Sequence, residues 1–273
     1  MTISAKVICD SVNPSGNRIT TVQVRLPKFL LAEINTHRTF SRSYNSSRAI
    51  PAKTMRKSAT FQPLEWGSNK SGMQAGESLR GWKLNAAKLV WNSSKLSATA
   101  HHKALELLGL HKQHTNRIIE PYMWVDGVVT ATEWANFFTL RIHPDTQPEI
   151  FELAIKISEA RSGSTPDKLE VGQYHLPYIT HEDYQFLRFS STEAMLFAAK
   201  SISAARCARV SYGLDKPFDI GADLKRASML MNAVPAHLSP FEHVAMALDK
   251  PTPSANFIGW IQYRKQLEFV HEN

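Results

Sequence analysis

The segment "INTHRTFSRSYNSSRAIP", residues 34–51, is the most unusual stretch of the sequence. Residues 34–48 hold three arginines, one histidine, two threonines and four serines, and no acidic residue follows Glu33 until Glu65. The planar fork of arginine binds phosphate oxygens in pairs, and serine hydroxyls can fill the remaining positions around them. The residues that could together hold a phosphate and the edge of a base are His37, Arg38, Ser41, Ser46 and Arg48. On the residues alone, a site for a phosphorylated ligand and a solvated basic loop both remain open.

The composition is that of a folded globular protein. Of 273 residues, 43% are hydrophobic and 21% are charged. The net charge of +8 favours anionic partners, which include nucleic acid, phosphorylated metabolites and acidic proteins. No run of eighteen apolar residues occurs, and the first residues lack the apolar core of a signal peptide, so we expect a cytoplasmic protein. Two cysteines, Cys9 and Cys207, cannot build a disulfide framework, and both are expected to be reduced.

The hydrophobic pattern predicts mixed strands and helices without strict alternation. Two β-branched runs at 5–12 and 19–26, joined by a turn-rich connector, predict a pair of strands, and 243–251 predicts another strand. Apolar periodicity predicts helices over 27–38, 77–110, 130–142, 148–160, 191–210, 221–233 and 255–269. This pattern is typical of the α+β class, with a mixed or antiparallel sheet and flanking helices.

The domain organisation follows from the same pattern. We expect one domain over 1–273, made of a first part (1–160), a connecting segment rich in turn formers (161–190) and a final part (191–273). Thr132 and Asp145 are predicted to cap the helices that follow them.

Two further clusters carry candidate chemistry. The first cluster is "HLSPFEH", residues 237–243. Its two histidines lack the HExxH spacing of a helical metal site, and Pro240 interrupts any helical face. A turn in which Ser239 and Glu242 contact a polar ligand is therefore favoured over a metal site. The histidines of 101–114 have no cysteine or carboxylate placed to complete a tetrahedral set, which favours a surface helix. No metal site is predicted.

Single residues with a possible role also have plain structural explanations. Cys207 lies beside two arginines that could activate a nucleophile, but a buried inert cysteine is favoured because no histidine base is adjacent. Arg141 at the end of a predicted helix is also explained by the helix dipole, and Arg117 alone is equally ambiguous.

Together these pieces resemble the flavin-dependent thymidylate synthases. The family signature reads RHRxxSxxxxSxR, and "THRTFSRSYNSSR" (36–48) reproduces it except that Thr36 stands in place of the first arginine. "TEWANFFTLRIHPDTQPEI" (132–150) is similar to the family's helix that ends in a catalytic-site arginine. "ARCARVSYG" (205–213) and "HLSPFEHVAMAL" (237–248) look like its two flavin-binding segments. The resemblance covers about two thirds of the chain.

The order of these segments differs from that of the family. The two flavin-binding segments precede the signature there and follow it here, so the chain resembles a circular permutant. The segment "NFIGWIQYRKQL" (256–267) then takes the place that precedes the signature and aligns Arg264 with the arginine missing at Thr36. Our hypothesis is that the helix before the signature is duplicated and that Arg264 supplies in space what Thr36 lacks.

The resemblance implies a homotetramer that forms dTMP from dUMP with FAD, NADPH and 5,10-methylenetetrahydrofolate, with neither nucleic acid nor a membrane as partner. Carried over residue by residue, it implies that Arg141 and Ser46 are catalytic. The implied substrate-binding residues are Glu33, Ser46, Ser47, Arg48, Arg117 and Arg141. The implied cofactor-binding residues are His37, Arg38, Asn136, Ser211, His237, Ser239, Glu242 and Arg264.

Four positions depart from the family pattern. Glu33 replaces a glutamine, Tyr44 an acidic residue, Thr132 an arginine and Asp145 a histidine. Because several of these positions face the pyrimidine or the cofactor in the family, methylation of another pyrimidine nucleotide and hydroxymethylation are alternatives. A non-catalytic, basic nucleic-acid-binding protein that kept the fold is a third.

Overall fold

The computed structural model describes residues 2–188, 191–211 and 217–272, with side chains through 210 in the second range and through 268 in the third. Its main sheet has five strands in the order β3-β4-β2-β1-β5. These strands are β1 (Ser4–Val12), β2 (Arg18–Pro27), β3 (Ser41–Tyr44), β4 (Trp124–Ala131) and β5 (Asp167–Lys168). All neighbours are antiparallel except β1 and β5. The predicted pair of strands is confirmed as β1 and β2.

A smaller sheet and a short hairpin come from the later part of the chain. Their strands are β6 (Tyr174–His175), β7 (Ala245–Ala247), β8 (Pro253–Ser254), β9 (Phe257–Ile258) and β10 (Trp260–Gln262). The order β10-β7-β6 is antiparallel throughout, and β8 pairs with β9. The sheets are therefore mainly antiparallel, and the α+β class is confirmed.

Ten helices flank the sheets in the described ranges. They are α1 (Leu31–Asn35), α2 (Ala52–Ser58), α3 (Gly81–Leu107), α4 (Lys112–Thr115), α5 (Ala135–Arg141), α6 (Pro148–Ser162), α7 (His181–Leu187), α8 (Thr192–Ala208), α9 (Ile220–Met231) and α10 (Tyr263–Glu272). Short 3-10 helices cover Lys28–Leu30, Asn116–Tyr122, Arg209–Ser211 and Ser239–His243. In the described residues, no helix combines the length and the apolar character needed to cross a membrane.

The first core lies between the main sheet and α6. Ile150, Leu153, Ala154 and Ile157 recur at helical spacing and are buried against strand residues such as Val22. Burying one such aliphatic side chain contributes about 1.5–3 kcal/mol, so this face holds α6 on the sheet.

The second core joins α8, α9 and the Ser239–His243 turn, and an arginine lies inside it. The Arg206 side chain is 1% exposed, and its guanidinium donates to both oxygens of Asp183 (2.5 and 2.7 Å) and to Asp223 (2.9 Å). Each charge is paired, as a buried ion requires. The arginine thus ties α7 and α9 to α8.

The register of β3 depends on one glycine. Gly127 of β4 lies opposite Tyr44, and a Cβ at position 127 would come within 2.2 Å of the Tyr44 ring. The missing side chain lets the tyrosine ring cross the neighbouring strand, which fixes β3 at the edge of the sheet.

Several sequence predictions are corrected by the structure. Residues 124–131, for which no strand was predicted, form β4, an interior strand between β2 and β3, and the predicted helix over 130–142 shortens to α5. The expected loop after α1 contains β3, and the helix predicted over 255–269 begins with two strands before α10. Buried strands read as short apolar runs, which periodicity alone does not separate from helices.

The predicted caps and the connecting segment also differ. The residue before α5 is Trp134 and the residue before α6 is Gln147, and neither side chain caps its helix. Pro148 begins α6, and its fixed φ suits the first helical position. The connecting segment holds β5, β6 and α7, which begins with a capping box formed by Thr180 and Asp183.

Candidate functional site

The arginine-rich segment divides into structural and exposed arginines. Arg42 on β3 folds back and donates from Nη1 to the carbonyl oxygens of Ile34 (3.2 Å) and His37 (2.9 Å). It therefore satisfies carbonyls after the end of α1, where a cation is favoured. Arg38 and Arg48 are exposed instead. Part of the positive charge serves the fold and part faces outward.

Helix α5 brings Arg141 to this segment. Arg141 donates from Nε to Nε2 of His37 over 3.0 Å, although 104 residues separate the two. The His37 ring is 7% exposed and lies edge-on to Phe137, with ring centroids 4.9 Å apart. The aromatic packing fixes the imidazole, and the imidazole in turn fixes the guanidinium.

His37 is neutral in this arrangement. Burial, followed by the positive charges of Arg141 and Arg42, lowers its pKa from 6.5 to about 4. Its Nε2 accepts from Arg141, so the ring proton lies on Nδ1. A neutral acceptor adds no competing charge to Arg141, and among the described residues the two terminal nitrogens of Arg141 make no hydrogen bond.

A second polar group surrounds Ser47. The buried Ser47 hydroxyl accepts from Nζ of Lys28 and donates to the carboxylate of Glu120. The Lys28 Nζ and the Glu120 Oε1 also form an ion pair over 3.3 Å. Burial lowers the pKa of Lys28. The Ser47 hydroxyl is thus used within the protein, and its predicted contact with a nucleotide stays a prediction. The sequence analysis did not single out Lys28 or Glu120.

The predicted phosphate contacts lie around this group. Arg117 is exposed and pairs with Glu120 over 3.0 Å. The Ser46 hydroxyl accepts from the backbone of Arg48 over 3.3 Å, and Lys112 donates to the Ala49 carbonyl over 3.1 Å. Four cations, Lys28, Arg48, Lys112 and Arg117, therefore stand around 46–49, and the single carboxylate of Glu120 pairs with two of them, Lys28 and Arg117.

Glu33 has an unsatisfied carboxylate oxygen. Its Oε2 is buried and has no hydrogen-bond partner in the described part of the chain. Because a buried acceptor without a donor costs about 1–3 kcal/mol, this atom is suited to a donor from a ligand.

The C-terminal segment contacts the arginine-rich segment. Gln262 and Asn256 both donate to the Ser41 hydroxyl, over 3.0 and 3.2 Å. Arg264 pairs with Glu242 and with Glu268. No hydrogen bond joins it to residues 36–48 within the described side chains, so its role in place of Thr36 stays a hypothesis.

The remaining predicted residues lie in different settings. Asn136, His237 and Ser239 are exposed, and the side chain of Ser211 lies outside the described residues. Burial raises the pKa of the Cys207 thiol, which supports the inert interpretation. In the described residues, no group of three or more His, Cys, Asp or Glu side chains is arranged to hold a metal ion.

A largely buried chain of hydroxyl and imidazole groups runs across the main sheet from β1 to β3. We call it the hydroxyl–imidazole chain; its members, in order, are Ser11, His175, Thr21, Thr130, His243 and Ser43, with contacts of 2.7–2.9 Å. Burial lowers the pKa values of both histidines to about 3. The sequence analysis missed this chain because its members come from six separate elements.

No family model matches this chain, and no curated protein matches it in sequence. Among solved structures, it is similar to the UMP/dUMP methylase PolB from Streptomyces cacaoi bound with 5-Br UMP, with 16% identity over 59% of this chain and 88% of that one and a TM-score of 0.48. It is also similar to thymidylate synthase X (ThyX) from Helicobacter pylori with FAD and dUMP, with 17% identity over 52% of this chain and 67% of that one and a TM-score of 0.37.

Proposed function

We propose that the protein is a flavin-dependent enzyme that transfers a one-carbon unit from 5,10-methylenetetrahydrofolate to carbon 5 of dUMP, with FAD and NADPH, as a homotetramer. The observation that carries the proposal is the contact between His37 and Arg141. It joins the segment that resembles the family signature to the helix that resembles the family's catalytic helix. A solvated basic loop would not need a second arginine brought from another helix.

The residues present fit a flavin. Arg38, Asn136, His237 and Ser239 are exposed, and their side chains make no hydrogen bond within the described residues. Such donors suit the diphosphate and the polar ring edge of FAD. Arg38 and Asn136 are each next in sequence to a member of the His37–Phe137 ring contact, which places them near each other. When bound, the flavin would carry the one-carbon unit and supply the hydride.

Arg141 would act on the pyrimidine. Its Nε is held by His37, and its terminal nitrogens can donate to a ring carbonyl. As negative charge develops on that ring, a fixed guanidinium stabilises it without reorganising. The neutral state of His37 keeps the full positive charge directed at the substrate.

The group around 46–49 would hold the phosphate. Arg48 and Arg117 are exposed and can bind phosphate oxygens in pairs, and Ser46 can donate to a third oxygen. Lys28 and Glu120 lie beneath and position the loop through Ser47. In this arrangement Ser46 and Arg48 bind the phosphate, whereas Ser47 positions them.

The carboxylate of Glu33 is compatible with more than one pyrimidine nucleotide. The ionised carboxylate of Glu33 can only accept hydrogen bonds, whereas a glutamine there could also donate. An acceptor alone suits the N3–H of uracil but equally the 4-amino group of cytosine. A cytidine nucleotide and a hydroxymethylated product are therefore second candidates.

The visible absorption spectrum of the purified protein, with FAD and then dUMP added, tests the proposal. A bound flavin whose spectrum changes with dUMP, followed by mass spectrometry of the product, would support both sites and separate methyl from hydroxymethyl transfer. A bound flavin whose spectrum responds only to a cytidine nucleotide would show that the substrate is a cytidine nucleotide instead of dUMP. Absence of flavin binding, with nucleic-acid affinity that falls steeply with salt, would instead support the nucleic-acid-binding alternative that the net charge of +8 allows.

A further inference from the structure

Helix α3 packs on the rest of the protein through one face. Trp91 packs against the first core, Ala98 packs against the cluster that contains Met55, and His102 is fully buried. These positions recur every three to four residues, as expected for one stripe of a helix. This face holds α3 on the protein.

A second series of residues lies on the opposite face of α3. We name it the α3 seam, and its members are Trp82, Ala86, Leu89, Ser93, Leu96, Ala100, Lys103 and Leu107. Trp82 and Ala100 are each nine residues from Trp91, which is about two and a half helical turns, so the seam points away from the first core. Its four large apolar members are 68–78% exposed.

The spacing of the α3 seam is that of a coiled coil. Successive members are alternately four and three residues apart over the whole helix. This is the heptad spacing at which the side chains of two helices interlock. A helix that only covered a protein surface would need one such stripe, and α3 has two.

Large and small residues alternate along the α3 seam. One set of alternating positions holds Trp82, Leu89 and Leu96, and the other holds Ala86, Ser93 and Ala100. A parallel helix of the same sequence would place equal positions opposite each other, so that small residues would face small residues and leave gaps. An antiparallel helix of the same sequence places one set opposite the other, so that large residues face small ones.

One antiparallel register uses every member of the α3 seam. With a two-fold axis at the middle of α3, the facing pairs are Trp82 with Leu107, Ala86 with Lys103, Leu89 with Ala100 and Ser93 with Leu96. The long stem of Lys103 can cover apolar surface while its charge reaches water at the rim. A shift by one heptad in either direction would leave Leu107 or Trp82 without a partner.

The surface that this pairing covers has the size of a specific interface. An aromatic side chain such as Trp82 buries about 150–250 Å², and three leucines of each copy are covered with it. With the small members and Lys103, two copies would cover on the order of 1,000 Å², which is about the lower bound for a specific contact. A monomer seldom leaves an apolar patch of this extent in water.

We propose that the α3 seam binds a second copy of this chain, with the two α3 helices antiparallel about a two-fold axis. Such a contact is closed, so a larger assembly would need a different surface as well. The inference goes beyond the proposed function, since a protein without the proposed reaction would pair in the same way.

Sedimentation equilibrium over a range of protein concentrations tests the interface. Leu96→Glu is expected to raise the dissociation constant by about 100-fold or more, because each pair would bury two unpaired carboxylates. Met229→Glu on α9 changes an apolar side chain of similar exposure (67%) outside the seam, and it should associate like wild type. Thermal unfolding shows that both variants are folded.

The salt dependence of association is a second reading from the same samples. Each α3 helix carries four lysines and one glutamate, so two copies repel each other. Salt is expected to strengthen the pairing by screening this repulsion, whereas it weakens binding to nucleic acid.

Disulfide crosslinking tests the antiparallel orientation. Leu89→Cys and Ala100→Cys are made as separate proteins with Cys9→Ser, and Cys207 is buried. A mixture of the two is expected to form a crosslinked dimer, whereas neither protein alone should, because equal positions would lie eleven residues, about 16 Å, apart along the axis.

Three results would overturn the proposal. They are wild-type protein that stays monomeric at every concentration, assembly that survives Leu96→Glu, and crosslinks formed by each cysteine variant alone. Monomeric protein that binds phosphatidylcholine vesicles, and loses this binding in Leu96→Glu, would assign the seam to a membrane surface instead.

The flavin spectrum of the same samples reports on the proposed function separately. A flavin-binding tetramer that survives Leu96→Glu would leave the proposed function standing and remove this interface. A dimer that Leu96→Glu dissociates, without flavin binding, would do the reverse.

Discussion

Arg141 and His37 form a fixed pair in which the guanidinium donates from Nε and the imidazole accepts at Nε2 over 3.0 Å. The pair links α5 to the turn before β3, two segments far apart in sequence. Because the imidazole is buried and neutral, the arginine is oriented without losing its charge. The predictions for the proposed reaction start from this pair.

Arg141→Ala is expected to lower kcat for nucleotide modification by about 10²–10³-fold, as for loss of one donor to a developing negative charge. Arg141→Lys should restore little, because lysine lacks the Nε donor that reaches His37. Product formation under saturating nucleotide is the measurement.

The control for Arg141 is Lys156→Ala, an exposed cation on α6 that should leave turnover unchanged. Retained flavin absorbance shows that the variant is folded. Wild-type turnover by Arg141→Ala would remove this residue from the catalytic assignment.

Acid is expected to destabilise the protein through its buried histidines. Folding lowers the pKa of His37 to about 4 and those of His175 and His243 to about 3. Between these values and 6.5 the unfolded chain binds more protons, so the stability is full above pH 6.5 and is lost as the pH falls. Each fully buried histidine contributes a slope of about 1.4 kcal/mol per pH unit.

Urea unfolding at several pH values checks this dependence. His243→Gln should reduce the slope of the unfolding free energy against pH by about 1.4 kcal/mol per pH unit, because one titrating group is removed. Glutamine can still donate and accept within the hydroxyl–imidazole chain, so the variant should fold. His101→Gln changes an exposed histidine and should leave the slope as it is. An unchanged slope for His243→Gln would contradict the buried neutral state.

Arg206→Met is expected to lower the free energy of unfolding by about 3–5 kcal/mol, because it leaves Asp183 and Asp223 buried without their common partner. Arg226→Met is the matched control, since Arg226 also donates to Asp223 but is 29% exposed, and its loss should cost about 1 kcal/mol or less. Similar losses for both variants would contradict a special role for the buried arginine.

Glu33→Gln is expected to change nucleotide preference more than stability. Glutamine adds a donor where Oε2 now has no partner in the described residues, so the variant should favour uracil, with its ring carbonyls, over cytosine. Titration of the flavin spectrum with dUMP and with dCMP measures the ratio. The same ratio of dUMP to dCMP affinity in the wild type and in Glu33→Gln would show that Glu33 does not contact the base.

The first strand pair was predictable because two β-branched runs flank a turn-rich connector, and α6 because its buried residues recur at helical spacing. Helix α8 was predictable although its later residues, 201–207, are all buried. Strand β4 was not, because it is buried along almost its whole length and its sequence, interrupted by Asp126, Gly127 and Thr130, shows no regular alternation of apolar and polar residues. Strand β3 was hidden for another reason: its pairing depends on Gly127, a residue with no side chain to show a pattern.

For the candidate site, the signature pattern identified His37 and the helix resemblance identified Arg141, but neither predicts that the two touch. That contact depends on how α5 leaves β4. Lys28 and Glu120 were missed because each reads alone as an ordinary surface charge, and their partner Ser47 is remote in sequence. Tertiary neighbours of this kind leave no local signal in one sequence.

The hydroxyl–imidazole chain between β1 and β3 has a property that follows from the number of hydrogens its members can donate. A neutral imidazole donates at one nitrogen and accepts at the other, and a hydroxyl has one hydrogen to give. If every internal contact is filled and Ser43 points its hydrogen out of the chain, every other hydrogen must point from Ser11 towards Ser43; the reverse holds when Ser11 points its hydrogen outward. Ser43, at the end beside the arginine-rich segment, can therefore offer its hydrogen outward only when Ser11 gives its own inward. The two ends of the chain, on β1 and β3, are therefore coupled, because Ser11 and Ser43 cannot both point their hydrogens outward at once.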